Sequence, residues 1–173
     1  MKKLVVLLTV ILIPVMACSQ SQQDWTELMY HYQTGSVPPQ YYFSYDMTVA
    51  QSGILTLVYH PGYQTDSSWT YQLNVPADDI AHLNNAIKAS GILNGTIPEA
   101  PQEHRPVGGP IQHVMLMLPQ DPNLDQMPPR ITTPDFPDDA YREKLAVLYE
   151  QIQKLVPAST WNEIETRRGL KDK

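Results

Sequence analysis

Every second residue is apolar in three early segments of the chain, a pattern typical of half-buried strands. The segments are 41–49, 54–60 and 69–75, and each has one aromatic or aliphatic face to bury. Turn-forming residues at 50–53 and 61–68 separate them. The pattern predicts an antiparallel meander of three strands.

Two further strands are predicted in the second half of the chain. Residues 111–118 alternate in the same way, and 130–133 form a shorter run. Proline is abundant, with 16 in the whole chain, and is concentrated in 94–110 and 119–129. Because proline is excluded from helix interiors and inner strands, these two segments are predicted to be stiff loops.

A helical spacing of apolar residues predicts a short helix near the amino terminus. Asp24 and Glu27 are spaced as an N-cap pair, and Gly35 is suited to end the helix. The apolar residues at i, i+3, i+4 and i+7 are Trp25, Leu28, Met29 and Tyr32. We expect this stripe to dock on the domain, although such a stripe could also lie on a bilayer.

Two longer helices are predicted further along the chain. Pro76 is suited to the start of the first, and Gly91 to its C-terminal cap. The second begins within 135–139, has the strongest helical periodicity in the chain, and is stopped by Pro157.

A final helical turn, with a capping box at Thr160 and Glu163, precedes a predicted solvated tail at 167–173. The elements together predict a single α+β domain over 24–173, in which helices pack on one face of an antiparallel sheet of about five strands. In the order of elements alone, this domain resembles small bacterial protease-inhibitor domains such as emfourin, although no residue motif of that family is present.

The amino terminus carries a separate signal. Lys2 and Lys3 precede an apolar run, Leu4–Met16, which has the length of a signal-peptide h-region and is too short for a membrane-spanning helix. The run ends in the tetrapeptide Val15-Met16-Ala17-Cys18. This tetrapeptide resembles the lipobox of bacterial lipoproteins, with valine in place of the usual leucine.

The resemblance implies a lipid anchor. In this family a diacylglyceryl group is attached to the cysteine sulfur, here that of Cys18, and the signal is cleaved between Ala17 and Cys18. Residues 1–17 would be removed, and 18–23 would form a polar tether. Two or three acyl chains, at roughly 0.8 kcal/mol per buried methylene, hold a protein durably on a membrane. An ordinary secretory signal with a chance cysteine is the alternative.

The same resemblance implies a place in the bacterial cell envelope. Ser19 follows the anchor cysteine, and in many Gram-negative bacteria this position sorts lipoproteins to the outer membrane, facing the periplasm. The remaining domain is similar to uncharacterised envelope lipoproteins, which supply no activity.

Charge and cysteine content narrow the classes of partner. The formal net charge is −6, and loss of Lys2 and Lys3 makes it −8. An acidic chain is a poor partner for nucleic acid or for an anionic lipid surface. Cys18 is the only cysteine, so no intramolecular disulfide can form. We therefore expect attachment to the membrane through lipid, a protein partner in the envelope, and no nucleic acid.

No nucleophile elbow, zinc-binding helix motif or glycine-rich phosphate loop is present in the sequence. We predict no catalytic residues, no cofactor and no metal site. His60 and His113 could meet across the predicted sheet, and Glu99, Glu103 and His104 share a loop. A metal site needs three or four such groups to converge, however, and solvated or hydrogen-bonded histidines are the simpler expectation.

Tyrosine offers a better indication of function. The chain contains ten tyrosines, and most precede the first long helix: Tyr30, Tyr32, Tyr41, Tyr42, Tyr45, Tyr59, Tyr63 and Tyr71. Exposed tyrosines favour interfaces, so Tyr42 and Tyr63 are a candidate binding surface, together with Gly108 and Gly109. Alternatively, the tyrosines fill sheet faces and the glycines form a bend.

These features favour a non-enzymatic, lipid-anchored envelope protein that binds another protein near the membrane. Protease inhibition is one option, with 94–110 and 119–129 as contact loops, because stiff loops lose less entropy on binding. The rival is an enzyme or ligand-binding protein acting on cell-wall glycan or peptide. A deep pocket with convergent carboxylates or histidines would favour the rival, and a flat aromatic surface would favour the binding protein.

Overall fold

A six-stranded antiparallel sheet and three α-helices make up the part of the chain that the computed structural model describes, which comprises residues 25–63, 67–120, 123 and 127–169. The strands are β1 (Glu27–Gln33), β2 (Ser44–Ala50), β3 (Ile54–His60), β4 (Trp69–Asn74), β5 (Ile111–Met117) and β6 (Arg130–Thr132). The helices are α1 (Ala77–Ser90), α2 (Asp139–Lys154) and α3 (Ala158–Arg167).

The strands lie in the order β4-β3-β2-β1-β5-β6. Strands β1 to β4 form a continuous meander, which confirms the predicted pairing of β2, β3 and β4. Strand β5 pairs with the other side of β1, and β6 pairs with β5. The predicted α+β fold is confirmed, with one strand more than the five or so expected.

The additional strand, β1, lies where a short helix was predicted between Asp24 and Gly35, and that prediction was wrong. All seven residues of β1 pair with β2 on one side and with β5 on the other. In the strand, Leu28 and Tyr30 share the buried face, and Met29 lies on the opposite face. Leu28 and Tyr32 fit both the helical repeat and the two-residue repeat of a strand. Hydrogen bonds to β2 and β5 favour the strand.

The helices cover one face of the sheet and bury its apolar side chains. Trp25, just before β1, is 1% exposed, and its indole Nε1 donates a hydrogen bond to Asn84 Oδ1 on α1 at 2.7 Å. The fully buried side chains of the sheet and helices include Leu28, Met47, Leu55, Leu57, Leu83, Ile87, Leu116 and Leu145. Burial of such a side chain contributes about 1.5–3 kcal/mol, so this layer is the main source of stability.

The helix ends follow the sequence signals with one exception. Gly91 ends α1 in the left-handed conformation, with φ of 80°, as predicted. Helix α3 begins at Ala158, directly after Pro157, and not with the predicted capping box at Thr160 and Glu163. Proline favours the helix start because its φ is already helical. In the described part of the chain, no helix combines the length and the apolar composition needed to cross a membrane.

The two ends of the sheet differ in what they carry. The chain enters β1 at Trp25, at what we call the near end; β1 and β3 finish, and β2 and β5 begin, at the far end. Gly35 and Gly109 lie at the far end, where their backbones are so close that a side chain on Gly35 would overlap the Gly109 carbonyl. Strand β1 separates the two ends by about 23 Å.

Candidate functional site

Four strands each place one aromatic ring in a single row at the far end of the sheet. The register sets Tyr32 of β1 opposite Tyr45 of β2. Tyr59 of β3 lies on the other side of Tyr45, and Trp69 of β4 lies beyond Tyr59. Along this aromatic row the ring centroids are 4.9, 6.3 and 5.5 Å apart and the planes differ by 10°, 12° and 16°. Cross-strand aromatic pairs of this kind contribute roughly 0.2–1 kcal/mol each.

Helix α3 and the aromatic row enclose a partly open cleft of about 250 Å³, here called the aromatic cleft. Trp161 of α3 meets Tyr45 edge-on, with the ring centroids 5.2 Å apart. Phe43, just before β2, stacks on Tyr59 with centroids 5.5 Å apart. The residues that line the cleft are Tyr32, Phe43, Tyr45, Tyr59, Gln153, Trp161, Ile164, Glu165 and Arg168.

Two arginines at the end of α3 pack over these rings. The guanidinium carbon of Arg168 lies 4.4 Å from the ring centroid of Phe43, and that of Arg167 lies 4.2 Å from the ring of Trp69. These cation–π contacts hold both side chains against the sheet. Arg167 is exposed but belongs to α3, and Arg168 is partly buried, so the predicted solvated tail, 167–173, was wrong for Arg168. Its last four residues lie outside the described chain.

Two buried hydroxyls near the cleft differ in their hydrogen bonds. The hydroxyl of Tyr30 donates to Gln112 Oε1 and accepts from Gln153 Nε2, both at 2.7 Å. Tyr59 is 1% exposed, and its hydroxyl has no hydrogen-bond partner among the described residues. A buried, unpaired hydroxyl costs about 1–3 kcal/mol. A ligand that pairs with this hydroxyl would recover part of that cost.

Burial also sets the protonation of the tyrosines around the cleft. The pKa values of Tyr30, Tyr45 and Tyr59 are raised, chiefly because burial disfavours the phenolate. The same cause raises the pKa values of Tyr32 and Tyr149. These phenols are therefore neutral at physiological pH, where they can form hydrogen bonds but cannot act as bases.

The residues predicted as a binding surface lie at the same end of the sheet but do not line the cleft. Tyr42 and Tyr63 stack on each other with ring centroids 3.8 Å apart, and the Tyr63 hydroxyl donates to the Val37 carbonyl at 2.9 Å. Gly108 and Gly109 have φ of 83° and 88°, which favours glycine in the turn before β5. The structure therefore brings the two tyrosines together and gives the glycines a place in a turn.

The histidines meet in a different combination from the one predicted. His60 on β3 and His113 on β5 are separated by β2 and β1, so they do not meet. His113 lies opposite His31 of β1, with the rings stacked and their centroids 5.1 Å apart. His31 Nδ1 lies 2.8 Å from Asp46 Oδ1, and this hydrogen bond raises the pKa of the imidazole. The His60 ring lies 3.7 Å from the other oxygen of Asp46.

The loop 94–110 is tied to the chain that leads into α2. The Ala100 amide donates to the Phe136 carbonyl at 2.8 Å, and Arg105 forms an ion pair with Glu99 at 3.3 Å. Among the residues described, no group of three or more histidine, cysteine, aspartate or glutamate side chains is arranged to hold a metal ion. Most of the tip of the second loop, 119–129, lies outside the described chain.

We predict that the four buried tyrosines, Tyr30, Tyr45, Tyr59 and Tyr149, and the partly buried Tyr32 stay protonated until the protein unfolds in alkali. Their folded-state pKa values lie above the unfolded value of about 10, so the stability gained is complete below that pH and is lost as pH rises further. NMR of tyrosine labelled at Cζ, followed with circular dichroism, would measure this. Ionisation of Tyr45 and Tyr59 near their ordinary pKa in a folded protein would contradict it.

We predict opposite effects for removal of two buried tyrosine hydroxyls. Tyr59→Phe removes an unpaired buried hydroxyl and should raise the free energy of unfolding by about 1 kcal/mol. Tyr30→Phe, the matched control, breaks the hydrogen bonds to Gln112 and Gln153 and should lower it by about 1–3 kcal/mol. Urea unfolding measures both. Equal losses in the two variants would show that the Tyr59 hydroxyl has a partner in the free protein.

Comparison with known proteins yields no match: no family model matches the chain, and no curated protein does. The residues of the lipidation and cleavage site, Ala17 and Cys18, lie outside the described residues. We therefore infer function from the physical properties of the aromatic cleft and from the amino-terminal sequence.

Proposed function

We propose that the protein is a lipid-anchored protein of the bacterial envelope and that its aromatic cleft binds a segment of another envelope protein. The observation that carries the proposal is the cleft itself, a partly open surface of stacked rings with a buried, unpaired hydroxyl at Tyr59. Buried aromatic anchors dominate the energy of many protein interfaces, and a tyrosine or tryptophan pocket is a common counterpart.

The size of the cleft favours a single anchoring side chain. Its volume of about 250 Å³ lies below the roughly 300–1,000 Å³ of small-molecule sites. A bulky apolar or aromatic side chain of a partner would bury its surface against Phe43, Tyr45 and Trp161. Burying such a side chain contributes about 1.5–3 kcal/mol, enough for a hot spot at the centre of an interface.

Polar groups at the rim can fix the orientation of the bound segment. Arg168, directly after α3, carries hydrogen-bond donors, and Glu165 on α3 carries acceptors; both line the cleft. The unpaired hydroxyl of Tyr59 is buried in the free protein, on a residue that lines the cleft. An anchor that ends in a polar atom, such as tyrosine, would fill the apolar walls and, once the side chains around this hydroxyl shift, would pair with it.

The proposed anchor places the cleft away from the membrane. The tether from Cys18 to Trp25 begins at the lipid and enters the sheet at its near end, whereas the cleft lies at the far end. From Cys18 to Asp24 the chain can reach at most ~20 Å when extended. The lipid would therefore keep the domain close to the bilayer and leave the cleft accessible to neighbouring proteins.

The rival function, action on cell-wall glycan or peptide, has less support from the cleft. Glu165 is the one carboxylate among the lining residues, and no histidine is among them. Glycoside hydrolysis normally requires two facing carboxylates. The rival function could still be glycan binding without catalysis, in which the flat rings would contact a glycan. The crosslinking and pull-down experiment below includes that result.

The anchor is tested by lipid labelling in cells. Cys18→Ser removes the sulfur that would carry the diacylglyceryl group, so labelling by radioactive palmitate should be lost and the protein should leave the membrane fraction. Ser21→Ala, which leaves the lipobox intact, serves as the control and should be labelled like the unmodified protein. Labelling that persists in Cys18→Ser would overturn the lipid anchor.

The cleft is tested by crosslinking and pull-down of the anchored protein from cells. Arg168→Glu reverses the rim charge and removes the cation–π contact with Phe43, so recovery of the partner should fall by about tenfold or more. Arg130→Glu makes the same charge change at the near end and should leave recovery unchanged. Thermal unfolding of both variants would confirm that they are folded.

Either of two results would overturn the proposed role of the cleft. The first is recovery of the same partner by wild type and Arg168→Glu in equal amounts, which would place the interface elsewhere. The second is capture of no protein together with retention of purified cell-wall glycan by wild type but not by Arg168→Glu, which would establish the rival function.

A further inference from the structure

The face of the sheet that points away from the helices carries a second cavity, of about 210 Å³. It is lined by side chains from β1, β2 and β5, and it lies on the opposite face from the core-lining Leu28 and Leu116. The side chains of Met29 and His31 on β1, and of His113 and Met115 on β5, all contribute to its wall. We call these four residues the His–Met cluster.

The register of β1 and β5 brings the cluster together. Met29 lies directly opposite Met115, and His31 lies directly opposite His113. Directly opposite residues of antiparallel strands have Cβ atoms about 4.5–5.5 Å apart, and residues two apart on one strand share a face. Two thioethers and two imidazoles therefore occupy a single two-by-two block on the sheet.

Each histidine of the cluster is held by a carboxylate at the same ring nitrogen. His31 Nδ1 lies 2.8 Å from Asp46 Oδ1, and His113 Nδ1 lies 2.8 Å from Asp135 Oδ1. In the neutral imidazole, an Nδ1–H that donates to a carboxylate leaves the lone pair on Nε2. This arrangement is the usual one around histidines that bind metals, because the carboxylate fixes both the tautomer and the ring orientation.

We propose that the His–Met cluster binds one monovalent copper ion, Cu(I), through Nε2 of His31 and His113 and the sulfur atoms of Met29 and Met115. Thioether sulfur is a soft donor that selects Cu(I), and imidazole also suits copper. Zinc, in contrast, takes imidazole, thiolate and carboxylate ligands, of which the cluster offers two imidazoles. The donor set therefore distinguishes the two metals.

The geometry allows these donors to converge with small movements. The two imidazole centroids are 5.1 Å apart, and two metal–nitrogen bonds of about 2.0 Å at a tetrahedral angle bring the nitrogens to about 3.3 Å. Met29 is 41% exposed, and both histidine side chains are partly exposed, so rotation is not blocked by the core. Methionine has three rotatable bonds and adapts readily. Asp46 and Asp135 add negative charge that favours a cation.

Half of the donors in the His–Met cluster are thioethers. In the described residues, no group of three or more histidine, cysteine, aspartate or glutamate side chains is arranged to hold a metal ion. The cluster and the aromatic cleft lie on opposite faces of the sheet. Copper binding and partner binding can therefore succeed or fail independently.

The test is an anaerobic titration with Cu(I) in competition with bathocuproine disulfonate, a chelator whose copper complex is coloured. The full chain is used in detergent with Cys18→Ser, because Cys18 is the only thiol and would compete for the ion. We expect one Cu(I) per chain to be withdrawn from the chelator. In NMR spectra of methyl-labelled methionine, the Met29 and Met115 signals should shift on binding, whereas that of Met127 should not.

Variants separate the cluster from adventitious binding. The pair Met29→Leu and Met115→Leu conserves volume and should weaken Cu(I) binding by about tenfold or more. Asp46→Asn or Asp135→Asn should weaken it by roughly 10- to 100-fold through loss of the support at Nδ1. The controls His82→Ala and Met127→Leu change exposed residues outside the cluster and should have no effect.

Two results would overturn the copper site. One is that the protein with the unchanged cluster withdraws no more Cu(I) from the chelator than the double variant His31→Ala and His113→Ala does. The other is Cu(I) affinity that Met29→Leu and Met115→Leu leave unchanged, since the thioethers would then not be ligands. A matched titration with Zn(II) is the control. The methionine and leucine forms should bind Zn(II) equally, because thioethers select Cu(I) and not zinc.

Discussion

The pairing of β1 with strands on both sides holds this structure together. As the central strand, β1 hydrogen-bonds along its full length to β2 and to β5, and without it the meander and the β5–β6 hairpin would be separate pieces. Each face of β1 also supplies a different site. Tyr32 begins the aromatic row on the helix side, and His31 with Met29 forms half of the His–Met cluster on the other side.

The side chains of the aromatic row pack against the core, and most of them also line the proposed binding cleft. The rings of this row pack between the sheet and α3, and the hydroxyl of the adjacent Tyr30 is held by hydrogen bonds to Gln112 and Gln153. Tyr59 lies in the same layer without a partner for its hydroxyl. An unpaired buried polar group beside a cleft lowers the stability of the free protein, and a ligand that pairs with it would restore that stability.

The two proposed sites also divide the molecule in space. The aromatic cleft lies at the far end of the sheet, about one strand length from the near end, where the proposed anchor would be attached. The His–Met cluster lies on the outward face of the sheet, away from the helices. Rings packed between layers suit the recognition of shape, and adaptable thioethers beside imidazoles that carboxylates orient suit the binding of an ion.

Local signals in the sequence determined the elements whose patterns are long or chemically distinctive. The alternation at 54–60 and 111–118 gave β3 and β5, and Gly91 and Pro157 marked helix ends because few residues accept those backbone angles. The sequence also determined the anchor hypothesis, since a lipobox is read as a linear motif. It could not decide residues 27–33, where Leu28, Tyr30 and Tyr32 fit a strand period and Leu28, Met29 and Tyr32 fit a helical one.

The aromatic cleft and the His–Met cluster both depend on residues 27–33. Once β1 lies between β2 and β5, the register pairs His31 with His113 instead of His60 with His113, and it completes the row that starts at Tyr32. The cation–π contact of Arg168 with Phe43 likewise arises from the way α3 packs across the sheet. Sequence alone determined which residues were available and most of the elements they would form. Tertiary structure decided which of them meet, because strand order and register are set by hydrogen bonds and packing between segments far apart in the chain.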